Sequence, residues 1–137
     1  MSRNGWIARP PLLIRSRESG LSVELIWVGP DHYTAHIRGF GLDASDTVWG
    51  HAAGGLTAFF GDIAASWKGW EGTKSWAPLE STLSMSARTD RGGHVFLEVT
   101  LASGAGDSWR VFAPLVLEAG QLQRIAADAA AFEGVHG

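Results

Sequence analysis

A chain of 137 residues, 45% hydrophobic and with a formal net charge of −3, is sized for one domain around one core. It carries no electrostatic footprint for nucleic acid or for an anionic membrane, so neither is an expected partner. Cysteine is absent, which excludes disulfides, thiolate nucleophiles and thiolate metal sites together; with no apolar run of signal-peptide or membrane-spanning length, a cytoplasmic location is expected.

The first third alternates as strands do. PLLIR is a short apolar run after a proline pair. In LSVELIWV (21–28), Leu21, Val23, Leu25 and Trp27 share one face and Ser22 and Glu24 the other, between the turn chemistries RESG and GPDH. YTAHIRGF (33–40) repeats the pattern, with Tyr33, Ala35 and Ile37 inward and His32, Thr34, His36 and Arg38 outward. A fourth strand is expected near Thr47–His51.

The period then lengthens. In GGLTAFFGDIAASWKGW, Leu56, Phe59, Phe60, Ile63, Ala64 and Trp67 fall on one helical stripe, and Gly69 is a natural stop. Trp67 is the last rung of that stripe and is assigned to the core. SWKGWEGTKSWAPLES follows, in which Gly69 and Gly72 release the chain from the helix and Pro78 sets it extended. Trp70 and Trp76 either plug the end of the core or form the lip of a ligand site.

Three strands come next. Leu79, Ser81, Leu83, Met85 and Ala87 face inward on the first, Val95, Leu97, Val99 and Leu101 on the second, and Trp109, Val111, Ala113, Leu115 and Leu117 on the third. The short turns TDRGG and SGAGD make this a meander. EAGQLQRIAADAAAF closes as a helix starting at Glu118 or Gly120, with Leu122, Ile125, Ala126, Ala129 and Phe132 on its apolar stripe. The expected fold is α+β: one domain over residues 1–137, with an antiparallel sheet of six or seven strands and two helices on one face, in the order βββ(β)-α-βββ-α. Residues 1–10 and 133–137 are read as flexible ends.

The motifs that resemble catalytic or metal sites have plainer readings. His32 and His36 in HYTAH lie about 13 Å apart on a strand at ~3.3 Å per residue, too far to share a metal, so no metal site is expected there. Asp43, Asp46 and His51 in GLDASDTVWGH read as turn residues, because no third group is positioned for acid–base or nucleophilic work. HAAGG precedes a helix; its amides give a weak anion-site signal, and a simple helix entry is the preferred reading. No catalytic residue and no cofactor is assigned.

Two surfaces stay open. On the outward side of the second strand set, Phe96 and Phe112 stand near Glu98 and Arg110, large apolar groups on a polar face, the mark of an interaction surface. The rival is a pocket at the tryptophan-rich joint formed by Trp67, Trp70, Trp76 and Glu80, of the aromatic-and-carboxylate kind that binds sugars and cations.

Residues 54–125 resemble a family of small, mostly actinobacterial proteins known as domain of unknown function six-two-two-eight. The resemblance rests on GGLTAFFGDIAASWKGWEGTKSWAPLESTLSMSARTD, on GHVFLEVTL and on GQLQRIA. It implies a fold unit and no activity. A looser likeness of layout, with LE…GHVFLEV, is to WapI-type immunity proteins, which bind a toxin. That resemblance implies a non-catalytic protein-binding domain with another protein, such as a toxin, as partner. A homodimerisation module is the third expectation.

Overall fold

Eight strands and two helices follow one another among the described residues: β1 (Leu12–Arg15), β2 (Ser22–Trp27), β3 (His32–Gly39), β4 (Leu42–Trp49), α1 (Gly55–Ala65), β5 (Lys74–Trp76), β6 (Leu83–Thr89), β7 (His94–Ala102), β8 (Arg110–Glu118) and α2 (Ala119–Glu133). The structure is a computed structural model and describes residues 9–49, 55–78, 82–90, 92–103 and 109–134. Leu79, Glu80 and Ser81, and the Gly50–Gly54 stretch that includes His51, lie outside the described residues.

The fold is α+β, but the strands do not form the single sheet expected. They make two four-stranded antiparallel meanders, in the orders β1-β2-β3-β4 and β5-β6-β7-β8. The break follows from connectivity. Each pair of consecutive strands within a meander is adjacent in its sheet, whereas α1 intervenes between β4 and β5, so no hairpin carries the ladder across. The sheets meet elsewhere: Arg17, just after β1, donates its N–H to the Val116 carbonyl (2.8 Å), and Val116 returns its own N–H to Ser16 Oγ (3.0 Å).

Two strands differ from expectation. β4 begins at Leu42, so Asp43 and Asp46 are strand residues paired with Arg38 and Ala35, and the turn is at Gly41, with φ +68°. β5 is only three residues long and pairs with Lys74 opposite Ala87, Ser75 opposite Ser86 and Trp76 opposite Met85.

Inward residues of both sheets and the apolar stripes of both helices form one core cluster, with Leu21, Val111 and Ala126 partly buried against it. Trp109, read as inward-facing, precedes β8 and is 38% exposed. Leu56, Phe59, Phe60, Ile63 and Ala64 bury from α1, and Leu122, Ile125, Ala129 and Phe132 from α2. The helices are exchanged between halves. The end of α2 covers the first sheet, where Phe132 stacks on Trp27 with ring centroids 5.0 Å apart and accepts the Trp27 indole N–H through its carbonyl at 2.7 Å. α1, which follows the first sheet, lies against β5 of the second, with the Lys74 ammonium on Asp62 at 2.7 Å. The two helices also pack on each other.

Glu133, read from sequence as part of a flexible tail, is instead buried at the end of α2 and accepts three hydrogen bonds at the start of α1. They come from Leu56 N–H (3.0 Å), Thr57 N–H (2.7 Å) and the Thr57 hydroxyl (2.6 Å). Residues 51–54 of HAAGG lie outside the described residues, and the Leu56 and Thr57 amides that follow bind the protein's own carboxylate.

Candidate functional site

With both helices on the inner side, each sheet turns its other face outward. β7 is a central strand of the second sheet, and its alternation sends Val95, Leu97, Val99 and Leu101 into the core and His94, Phe96, Glu98 and Thr100 outward, all four half-buried. The register lays these residues out in rows. Arg88, Phe96 and Val116 form one row, Ser75, Ser86, Glu98 and Pro114 the next, and Ser84, Thr100 and Phe112 the third.

Phe96, Glu98 and Phe112 thus come together in three successive rows, and Arg110 follows at the end of the same strand face, opposite Ala102. The two phenylalanines differ in their cover. Arg88 lays its guanidinium over Phe96, 4.9 Å from the ring centroid, with the His94 ring 6.5 Å away. Phe112 is 57% exposed. Between the two rows Glu98 accepts one long hydrogen bond, from Ser86 Oγ at 3.4 Å, and pairs with no cation among the described residues.

A shallow depression of about 470 Å³ opens here, lined by Phe112, Glu98, Trp76 and the hydroxyl-bearing Ser75, Ser84, Ser86 and Thr100. Sequence alternation identifies Ser84, Ser86 and Thr100 as outward-facing, but not Ser75, which reaches this face only through the β5–β6 register.

The tryptophan-rich joint is assembled differently. α1 ends at Ala65, so Trp67 falls in the following turn and is 50% exposed beside Lys68, rather than in the core. Trp70 is half-buried, with the Lys74 ammonium 5.1 Å from its ring and its backbone tied to the Thr89 hydroxyl. Its indole N–H is buried with no acceptor among the described residues. Trp76 sits on β5 against the start of α1, where a Cβ at Gly55 would lie 3.0 Å from its indole nitrogen. Trp76 borders the depression on the second sheet and Trp70 a separate one with Lys68, Glu71, Thr89 and Asp90. Glu80 lies outside the described residues.

On the outer face of the first sheet, His32 stacks on Trp49 (centroids 4.3 Å apart) and contacts Asp31. His36 bonds Asp43 and lies against Arg38, and that hydrogen bond holds the Asp43 carboxyl below its ordinary value. Ile26, Val28 and Trp49 are exposed there too, a patch signalled in sequence only by the unbroken apolar run LIWV. Among the described residues, no three His, Asp or Glu side chains are grouped to hold a metal ion, and no helix is long and apolar enough to cross a membrane.

The model of a family of unknown function, DUF6228, matches residues 28–135. Among solved structures, the chain is similar to Trypanosoma bruciei MRP1/MRP2 at 10% sequence identity and a TM-score of 0.49, over 92% of this chain and 86% of that one. No curated protein matches the chain.

Proposed function

We propose that this chain, which belongs to the family of unknown function DUF6228, is a non-catalytic protein-binding domain whose contact surface is the outer face of the second sheet. The observation that carries this reading is Phe112. It stands 57% exposed on a sheet whose other face already serves the core, so its exposure is not a failure of packing. Around it, Pro114, Val116 and Phe96 add apolar surface, while Glu98, Arg88 and the hydroxyl row supply a polar rim, the composition of a recognition patch. Complementary surfaces of this kind need aromatics and charges and no reactive group. The likeness of sequence layout to WapI-type immunity proteins is what suggests a toxin as one form of the partner in this reading.

The test is affinity capture from the native host with the wild-type chain, Phe112→Ser and Ile26→Ser, the last on the first sheet. A partner retained by wild type and Ile26→Ser but lost by Phe112→Ser supports the assignment. A partner held equally by all three removes it. A solution mass of two chains that falls to one in Phe112→Ser would assign the face to a second copy.

A further inference from the structure

We infer that the partner presents an arginine to this face, its guanidinium seated between the Glu98 carboxylate and the Phe112 ring. The inference rests on reading the outer face of the second sheet as a protein-binding surface, and it names the chemistry that surface selects.

Glu98 is the first support. It is a half-buried residue on a central strand, with its side chain on the outer face and no cation paired with it among the described residues. An ionised carboxylate offers roughly four acceptor sites, and here Ser86 Oγ fills one of them at 3.4 Å. The neighbouring cation that could neutralise it, Arg88, is turned onto Phe96 in the adjacent row. The depression at Glu98 is lined by an aromatic ring and by hydroxyls, which accept hydrogen bonds from a cation as readily as they donate to an anion. An acidic group from a partner would meet Glu98 with like charge, so the depression selects for a cation.

The face also supplies its own precedent. Arg88 over Phe96 shows the stacked cation that a phenylalanine on this sheet takes. Phe112, on the other side of the Glu98 row, has the same ring presented outward and no cation over it among the described residues. Glu98 and Phe112 are diagonal neighbours on adjacent strands, a relation that spans about 7–8 Å. A guanidinium can fork onto the carboxylate with its N–H edge and stack its plane on the ring, which an ammonium, a point charge, cannot do at once.

Amide NMR titration of the full chain tests this, with N-acetyl-arginine methylamide as the probe and its citrulline analogue as the uncharged control of the same shape. The expected result is saturable shifts centred on Ser86, Glu98, Thr100 and Phe112, with Kd raised roughly tenfold or more for citrulline and for Glu98→Gln. Glu98→Gln preserves shape, and an unchanged melting temperature certifies its fold. Absence of localised shifts, equal binding of citrulline, or wild-type affinity in Glu98→Gln would each overturn the inference. In the capture experiment, a partner lost by Phe112→Ser but kept by Glu98→Gln leaves the protein-binding surface standing and removes the arginine. A partner kept by both variants removes the surface itself.

Discussion

Glu133 and Thr57, 76 residues apart, are joined by two hydrogen bonds into one carboxylate oxygen, while the other oxygen takes the Leu56 amide. A side chain from the end of α2 thereby does the work of an N-cap for α1, and its charge lies where the helix dipole favours an anion. Glu133→Ala leaves the buried Leu56 and Thr57 donors without their acceptor and is expected to lower stability by about 2–4 kcal/mol. Glu133→Gln keeps one acceptor and sets an amide NH₂ against a donor, with an expected loss of about 1–2 kcal/mol. Urea unfolding of the three proteins measures both. A loss below about 0.5 kcal/mol for the alanine variant, the scale of an ordinary surface change, would show that the cap contributes little.

Tyr33 is the sole tyrosine of the chain, so phenolate absorbance reports on it alone. Burial against Trp27 and Phe132, with Glu133 adding negative charge nearby, pushes its pKa well above the ordinary value of 10.0. The raised folded value means that the unfolded chain loses this proton first. Stability from this residue is complete below the ordinary value and is lost as pH rises from there toward the folded one. The phenolate signal is therefore expected to appear together with unfolding, and Tyr33→Phe to flatten the alkaline decline in stability. A smooth, non-cooperative titration near the ordinary value in folded protein would contradict the burial.

Asp90 sits at the β6–β7 turn and accepts backbone N–H groups from His94 and Gly92, which hold its carboxyl below the ordinary 3.8. A depressed folded value contributes stability that is present above the ordinary pKa and lost as pH falls through the folded one. Asp90→Ala is accordingly less stable than wild type at neutral pH, and the difference shrinks in acid. Parallel denaturation curves at neutral and acid pH decide it, and a gap that does not narrow would put the contribution in chain stiffness rather than in charge.

Phe112→Ser removes an exposed ring from a face that does not touch the core, so unfolding free energy is expected to stay within about 0.5 kcal/mol of wild type. Phe132→Ala, by contrast, empties a fully buried site stacked on Trp27 and is expected to cost about 3–5 kcal/mol. If the two variants were destabilised alike, Phe112 would belong to the core and not to a recognition surface.

Local periodicity made much of this structure readable. The α1 stripe from Leu56 to Ala64 and the inward sets on β2, β3, β7 and α2 are buried, with only Leu21 and Ala126 among them partly exposed, because periods of two and of 3.6 are imposed by one element at a time. Parity also put Phe96, Glu98 and Phe112 on one face. What needed the folded chain was anything set between elements. Trp67 continues the helical spacing, but the helix has already ended at Ala65. β4 carries Asp43, Ser45 and Asp46, residues of turns, because an edge strand exposes one of its sides to solvent. Whether two meanders share a ladder depends on contacts such as Arg17 with Val116, about a hundred residues apart in sequence and invisible to any window along it. Glu133 had no sequence signal at all, since its partners are the first amides of a distant helix.

The exchange of helices also constrains how the chain is made. While the second sheet is still being made, β1 to β4 are complete but Trp27 and Tyr33 have each other and not yet Phe132 of α2 as cover. That part of the first meander's apolar face is left without its α2 cover until α2 has followed β8. The contact that closes the core over the first sheet is the docking of α2.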